Sequence, residues 1–498
     1  MVREKSLGCA VSRGVSSLVL LTGFCFTVFL FFLSLFRTVS SKPDGWLGEY
    51  SFSALDNGFL NILMLVMLLC VLYLLWHRLE ALPLWTVRLG MLLWILTVGI
   101  LFVYSTSRAP EGDAEIIANT AFLASGGNFT ALSDYLDHHP FRIGLAFYEE
   151  IYFRLLRLLF PAISRGYCFM SLQVVNVLFW ALGCLGLVEM SGRLYHSRRV
   201  QKLTALFLML FFPALLSCSS LSGSLASFSL AVLSLWFLSA WMERPGFFRV
   251  LLSGLFMGLA LSLKLDAALV VLAVVVLWLL YCLQGRSLRA LLALLVYLAS
   301  LLLVEATPIY LCEQRAGMDY SSGDMTMRLA MGLDEMETGS LRYAGLYTAA
   351  SDEVLHSRSP RAQKAQEPGS FDGFARQWNE PSFRSLFMNQ SCQRYRETGF
   401  LYRLFCQPGD WLLRWMNLYQ SLLLAGAGLA LLLLLKRGET GKALPAFLLV
   451  AGFVFHLFIP ADSRSAMKYY LLMIPLAAFA FDTLFLHHEA RSGAAEKP

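Results

Sequence analysis

Apolar runs of about 20 residues recur along almost the whole chain, and roughly that length is what a helix needs to cross a hydrocarbon layer of about 30 Å. No other feature constrains the fold as much. About twelve such runs can be read, over 15–36, 59–76, 84–104, 167–190, 201–217, 222–241, 248–265, 267–283, 290–309, 416–435, 443–460 and 467–486. Of 498 residues, 57% are hydrophobic and only 15% charged, and mean hydropathy is +0.61. Soluble domains are far more polar, so the expected fold is an all-α polytopic membrane protein.

Lysine and arginine in the short loops orient the spans, because cations are retained on the cytoplasmic side during insertion. One assignment works throughout. With Arg3, Lys5 and Arg13 inside, the same side receives Arg78, Arg88, Arg193, Arg198, Arg199 and Lys202. Arg244, Arg249, Arg286, Arg289, Lys436, Arg437, Lys442 and Arg491 also fall there. The connections 218–222, 264–266 and 461–466 hold few cations and fall outside, and both termini are expected in the cytoplasm. Two long segments then lie outside, 105–166 and 310–415. They divide the chain into N-terminal spans (1–104), a first external loop (105–166), a central bundle (167–309), a large external loop (310–415) and C-terminal spans with a tail (416–498).

The net charge of +6 is explained by this loop bias and by contact with anionic lipid, so it does not call for a nucleic-acid partner. Cysteines Cys25, Cys70, Cys184, Cys218 and Cys282 are scattered through the spans. In the large external loop, Cys312, Cys392 and Cys406 could form one disulfide whose pairing is open. The first apolar run is long and lacks a small-residue cleavage site, so no cleavable signal peptide is expected. Part of 310–415 should fold on its aromatics, whereas 351–370 reads as a mobile polar stretch.

The first external loop carries the chemistry-bearing residues. Ile117, Ala121 and Ala124 at helical spacing predict a helix over 114–124, ended by Gly126-Gly127. A second is expected from Asn128 or Thr130, with Phe129, Leu132, Tyr135 and Leu136 on one face. A third follows Pro140, with Glu150 and Arg154 spaced to pair. Asp113 stands at the head of the first helix, where it can cap the helix or act as a general base on an acceptor hydroxyl. Lys264 and Asp266 form either a plain polar turn or a site in which Lys264 holds a phosphate. Arg464 can pair with Asp462 or anchor phosphate, and Arg142 can do the latter or snorkel to the interface. His138 and His139 could hold a divalent metal with Asp134 or Asp137, although adjacent histidines at an aqueous interface are more often unliganded.

An Asp on leaving a span, two surface helices, then Tyr135, His139, Pro140 and Gly144, and a further helix, together resemble the C-type (GT-C) membrane glycosyltransferases. The likeness is to the bacterial branch related to protein O-mannosyltransferases and the aminoarabinose transferase of lipid A. Leu263-Lys264-Leu265-Asp266, Met331-Gly332-Leu333 and the run from Gln377 to Leu386 agree in order and sidedness, so the resemblance spans about 84–486. It implies an inverting transfer of a sugar from a polyprenyl-phosphate carrier to an envelope acceptor on the outer face. It further implies Asp113 as base with Glu115 beside it, and favours Lys264 on the donor phosphate, where Arg464 and Arg142 are candidates from their own positions. Tyr135, His138, His139, Trp378 and Glu380 would line the donor and acceptor pocket. It favours the plasma membrane of a Gram-positive bacterium. The residues themselves name no certain cofactor, only the divalent metal that His138 and His139 could hold.

Other classes remain open at this point. A flippase or transporter of lipid-linked oligosaccharide would need charged or broken helices near mid-membrane, and these spans are nearly uncharged through their centres. A polysaccharide polymerase or ligase would show an arginine-rich external loop, and 310–415 holds many arginines. If Asp113 is only a cap, a non-enzymatic assembly partner also fits.

Overall fold

The structure is a computed structural model that describes residues 2–44, 48–55, 57–106, 110, 113–129, 142–283, 288–316, 335–338, 341–344, 411–439, 442, 444–455 and 463–495. Helix α1 (Val2–Phe36) leads into an antiparallel hairpin, β1 (Arg37–Asp44) and β2 (Gly48–Leu55), with Arg37 opposite Leu55 and Asp44 opposite Gly48. There follow α2 (Gly58–Ala81), α3 (Leu84–Thr106), α4 (Asp113–Ser125), α5 (Ile143–Leu159) and α6 (Arg165–Tyr195). Next come α7 (Arg198–Met209), the short α8 (Phe212–Ser217), α9 (Ser224–Glu243), α10 (Phe247–Leu263), α11 (Ala268–Leu283) and α12 (Leu288–Ala316). A second hairpin, β3 (Glu335–Thr338) and β4 (Leu341–Ala344), precedes α13 (Trp411–Arg437), α14 (Leu444–Phe455) and α15 (Ser463–Ala495). The helical expectation holds for the bundle, and the two hairpins are additions to it.

Among the described residues, nine helices are long and apolar enough to cross a membrane, and Phe247–Leu263 is a shorter apolar helix. The run at 201–217 is broken. Pro213 sits in the first turn of α8, where its missing N–H costs nothing, but it cannot extend α7 across Leu210 and Phe211. Helix ends follow local chemistry: the Asn57 side chain accepts from the Leu60 amide (3.2 Å) to start α2, and Ser197 Oγ accepts from the Val200 amide (3.3 Å) to start α7.

The segment Lys468–His488 of α15 is 83% buried and forms the centre of the bundle, whereas the α2 segment is 17% buried and lies at its edge. Close approach of helices depends on small residues: a Cβ at Gly426 would press on Ala477 and Phe481, and one at Gly254 on Ser300 and the Tyr297 carbonyl. Polar side chains cross between elements inside this core, with Gln420 donating to the Tyr470 hydroxyl (3.1 Å) and the Ser234 and Ser253 hydroxyls in contact (3.0 Å).

The loops grouped by their cations meet at one end of the bundle. Arg199 pairs with Glu80, Arg88 with Glu189 (2.5 Å) and Arg193 with Glu243 (3.9 Å), each joining elements distant in sequence. At the other end, α4 and α5 lie against the turn before α9, the C-terminus of α10 and the far end of α12.

Candidate functional site

Helix α10 stops at Leu263 because Lys264 takes an extended backbone (φ −157°, ψ 124°), and Leu265–Ala267 then makes one 3₁₀ turn before α11. This break brings Lys264 and Asp266 onto the same spot. Lys264 Nζ donates to Ser224 Oγ (2.7 Å) at the start of α9 and lies 3.7 Å from Asp266 Oδ2. From the first turns of α15, Lys468 Nζ reaches the same oxygen at 2.8 Å. All three charged side chains are at least nine-tenths buried, with exposures of 10%, 8% and 7% for Lys264, Asp266 and Lys468. Two ammonium groups on one carboxylate leave the trio with one net positive charge in a place where charge is expensive to bury.

The neighbouring turn is held from below. Gln173 donates to the Ser219 carbonyl (2.9 Å), and Asn176 donates to the carbonyls of Cys218 (3.2 Å) and Ser220 (3.0 Å), which satisfies backbone acceptors that the break between α8 and α9 leaves open. Ser222 and Ser224 hydroxyls are then 3.1 Å apart beside Lys264.

Above this turn lies the surface layer. In α4, Ala114, Ala118 and Ala121 pack with Phe153, Phe169 and Leu221, and Ile117 and Ala124 are buried against α5, so the predicted apolar face is the buried one. The helix ends at Gly126-Gly127, with Gly127 at φ +94°, a conformation glycine takes without a Cβ penalty. Asp113 is the first residue of α4, and the Ala114 beside it packs in the same cluster as Leu221, three residues before Ser224. Glu115 lies on the exposed face, away from that cluster.

Helix α5 sits directly on the end of α10. At Gly144 a Cβ would collide with the Ser262 carbonyl, so only glycine permits this approach. Burial pushes the Tyr148 hydroxyl above its ordinary range, opposed by its hydrogen bond with Ser262. Burial also pushes the Glu149 carboxyl well above the usual carboxylate range, opposed by the charge of Arg142 at the head of α5. Glu150 is handled differently. Its side chain is 1% exposed and accepts from Arg154 (2.6 Å), the pairing predicted from spacing, and from Arg315 of α12 (3.0 and 3.2 Å). Arg315 also lies over the Phe147 ring (5.6 Å), so one carboxylate ties the surface layer to the end of α12.

The structure therefore brings together Lys264, Asp266 and Lys468, with Arg464 one helical turn before Lys468 and Asp113 opening the helix that covers the Leu221 turn. Arg142 stands at the N-terminus of α5, where its charge acts on Glu149. Tyr135, His138, His139, Trp378 and Glu380, the second surface helix beyond residue 129 and the polar stretch 351–370 lie outside the described residues. Among the described residues no group of three or more His, Cys, Asp or Glu side chains could hold a metal. Lys468, Ser224 and Arg315 were not anticipated. Lys468 had a readable signal, as a charge opening an otherwise apolar span.

No protein-family model matches the chain, and no curated protein matches it. The fold and site define a class: a multi-pass membrane protein with a buried Lys–Asp–Lys cluster at one end of its helical bundle, beneath a layer of two packed helices.

Proposed function

We propose that the protein is a GT-C-like membrane glycosyltransferase of about twelve passes, moving a sugar from a polyprenyl-phosphate carrier to an envelope glycan, lipid or protein on the outer face of a bacterial plasma membrane. Both termini then lie in the cytoplasm. The observation that carries this reading is the Lys264, Asp266 and Lys468 trio, a preorganised cationic site beside the head of α4. Lysine is a common point-charge ligand for phosphate, and Asp266 holds both ammonium groups in position before any ligand arrives.

In this mechanism an acceptor hydroxyl oxygen attacks the anomeric carbon while Asp113 takes its proton. The bond from that carbon to the phosphate oxygen breaks, and its electron pair leaves on the carrier phosphate. Lys264, Lys468 and Arg464 stabilise the charge that develops there. Attack opposite the leaving group inverts the configuration. In this reading Arg142 adds a phosphate contact from the head of α5, Glu115 on the exposed face of α4 is a secondary carboxylate, and Tyr135, His138, His139, Trp378 and Glu380 line the donor and acceptor pocket.

The test is purified protein in vesicles, given a panel of polyprenyl-phosphate sugars with native envelope extract as acceptor, and read as donor consumed and product labelled. Transfer is expected in the native chain, and Asp113→Asn should lower it by about 10²–10⁴-fold with donor binding kept. Full activity in Asp113→Asn would remove the proposed base. Movement of intact lipid-linked sugar without transfer would point to a flippase, and joining of whole glycan chains to a polymerase or ligase.

A further inference from the structure

At the opposite end of the bundle from the lysine site, a cavity of about 470 Å³ opens between α1, α6, α9, α11 and the start of α14. That size falls within the roughly 300–1,000 Å³ of ordinary ligand pockets. Its composition is graded along the helices. The interior is apolar, with Leu238, Val274, Leu277 and Trp278 one or more turns in from the helix ends. The polar groups sit at those ends: Arg193 in the last turn of α6, His196 just after it, Glu243 closing α9 and Lys442 before α14.

The charges at the rim are accessible. Arg193 is 27% exposed, 3.9 Å from Glu243 and hydrogen-bonded to the Trp236 carbonyl (3.0 Å), and Lys442 is 25% exposed and 2.7 Å from Glu439. The charged lining is Arg193, Lys442 and Glu243, so the rim carries one positive charge in excess. The 3.9 Å pair with Glu243 is the weak one. Arg193 is otherwise held at the mouth by Ser239 Oγ (3.3 Å) and the Trp236 ring (5.1 Å), so its charge is fixed in place and open to an incoming anion. An apolar slot with a cationic rim is complementary to one kind of molecule, an amphiphile with an anionic head. Basic pockets between membrane helices on the cation-rich side are where anionic lipid headgroups bind.

We infer that this cavity is a binding site for one anionic phospholipid, its phosphate at Arg193 and Lys442 and an acyl chain against Leu238, Leu277 and Trp278. The inference is independent of the glycosyl-transfer reading, since it uses neither Asp113 nor the Lys264 cluster. Occupancy would wedge α1 and α11 against the α6–α9 pair, which already packs through Gly183 on Ser229 and Gly186 on Val232.

The experiment is native mass spectrometry of the full chain released from nanodiscs of equimolar phosphatidylglycerol and phosphatidylcholine. One retained phosphatidylglycerol per chain is expected, in preference to phosphatidylcholine. Lys442→Gln alters a residue outside the helices and should weaken that preference about fivefold, the effect of one cation at a lipid surface. Leu238→Trp should fill the slot and abolish retention while unfolding as cooperatively as the native chain. Equal retention of the two lipids, or retention unchanged in both variants, would overturn the inference. So would displacement of the lipid by free inorganic phosphate, which would mean that the apolar slot contributes nothing.

Discussion

The two ends of this bundle use charge in opposite ways. At the cation-rich end, ion pairs such as Arg88–Glu189 and Arg193–Glu243 have partners between 27% and 51% exposed. At the other end, Lys264, Asp266 and Lys468 are at most 10% exposed, and Glu150 is 1% exposed between Arg154 and Arg315. Exposed pairs contribute about 0–1 kcal/mol. Buried ones are weak grounds for stability, because desolvation can exceed the attraction, yet removing one partner is severe. The first end has charge of the kind that topology requires. The second keeps charge where apolar residues would fold as well or better, which is what the proposed phosphate site requires.

Breaking the buried trio should have the largest effect. Asp266→Asn takes the shared carboxylate from Lys264 and Lys468 and should cost about 3–5 kcal/mol, read as a lower thermal midpoint in detergent. The triple change Asp266→Leu, Lys264→Met and Lys468→Met should recover most of that stability but not phosphate binding; recovery of both would make the trio purely structural. Next is Glu150→Gln, which leaves Arg154 and Arg315 without their carboxylate. Those partners are 48% and 33% exposed and can turn to water, so the expected cost is smaller, about 1–3 kcal/mol.

A pH effect follows from Glu149, whose folded pKa is raised by burial. The fold binds this proton more tightly than the unfolded chain does. Its contribution is therefore complete below the ordinary glutamate value of 4.5 and is lost as pH rises toward the raised folded pKa. Glu149→Gln should flatten the fall in thermal midpoint across that window; an unchanged slope would mean that Glu149 is not the titrating group. Smallest of all, Arg199→Gln at the exposed end should shift stability by less than about 1 kcal/mol. A shift as large as that of Asp266→Asn would erase the contrast between the ends.

Much of the architecture was legible because a bilayer sets helix length and helical spacing sets faces. The nine long apolar helices fall on predicted runs, and Ile117, Ala121 and Ala124 are fully buried as their spacing required. Glu150 with Arg154 could be read from one turn of helix, but Glu150 with Arg315 could not, since they are 165 residues apart. Lys264 and Asp266 were visible as a charged break between spans, whereas their junction with Lys468 depends on how α15 threads the bundle. Hydropathy is continuous across 201–217, so apolar length alone hides the break at Leu210 and Phe211; Pro213, in the sequence itself, was the signal for it.

Gly144 has a mechanical consequence. Since α5 rests on the Ser262 carbonyl with no side chain between them, this glycine works as a shim of zero thickness and fixes how high the covering layer rides above the lysines. Adding a single methyl there would lift the layer without touching a charged group. The spacing between the covering helices and the lysine turn can therefore be altered from a position that carries no functional group at all.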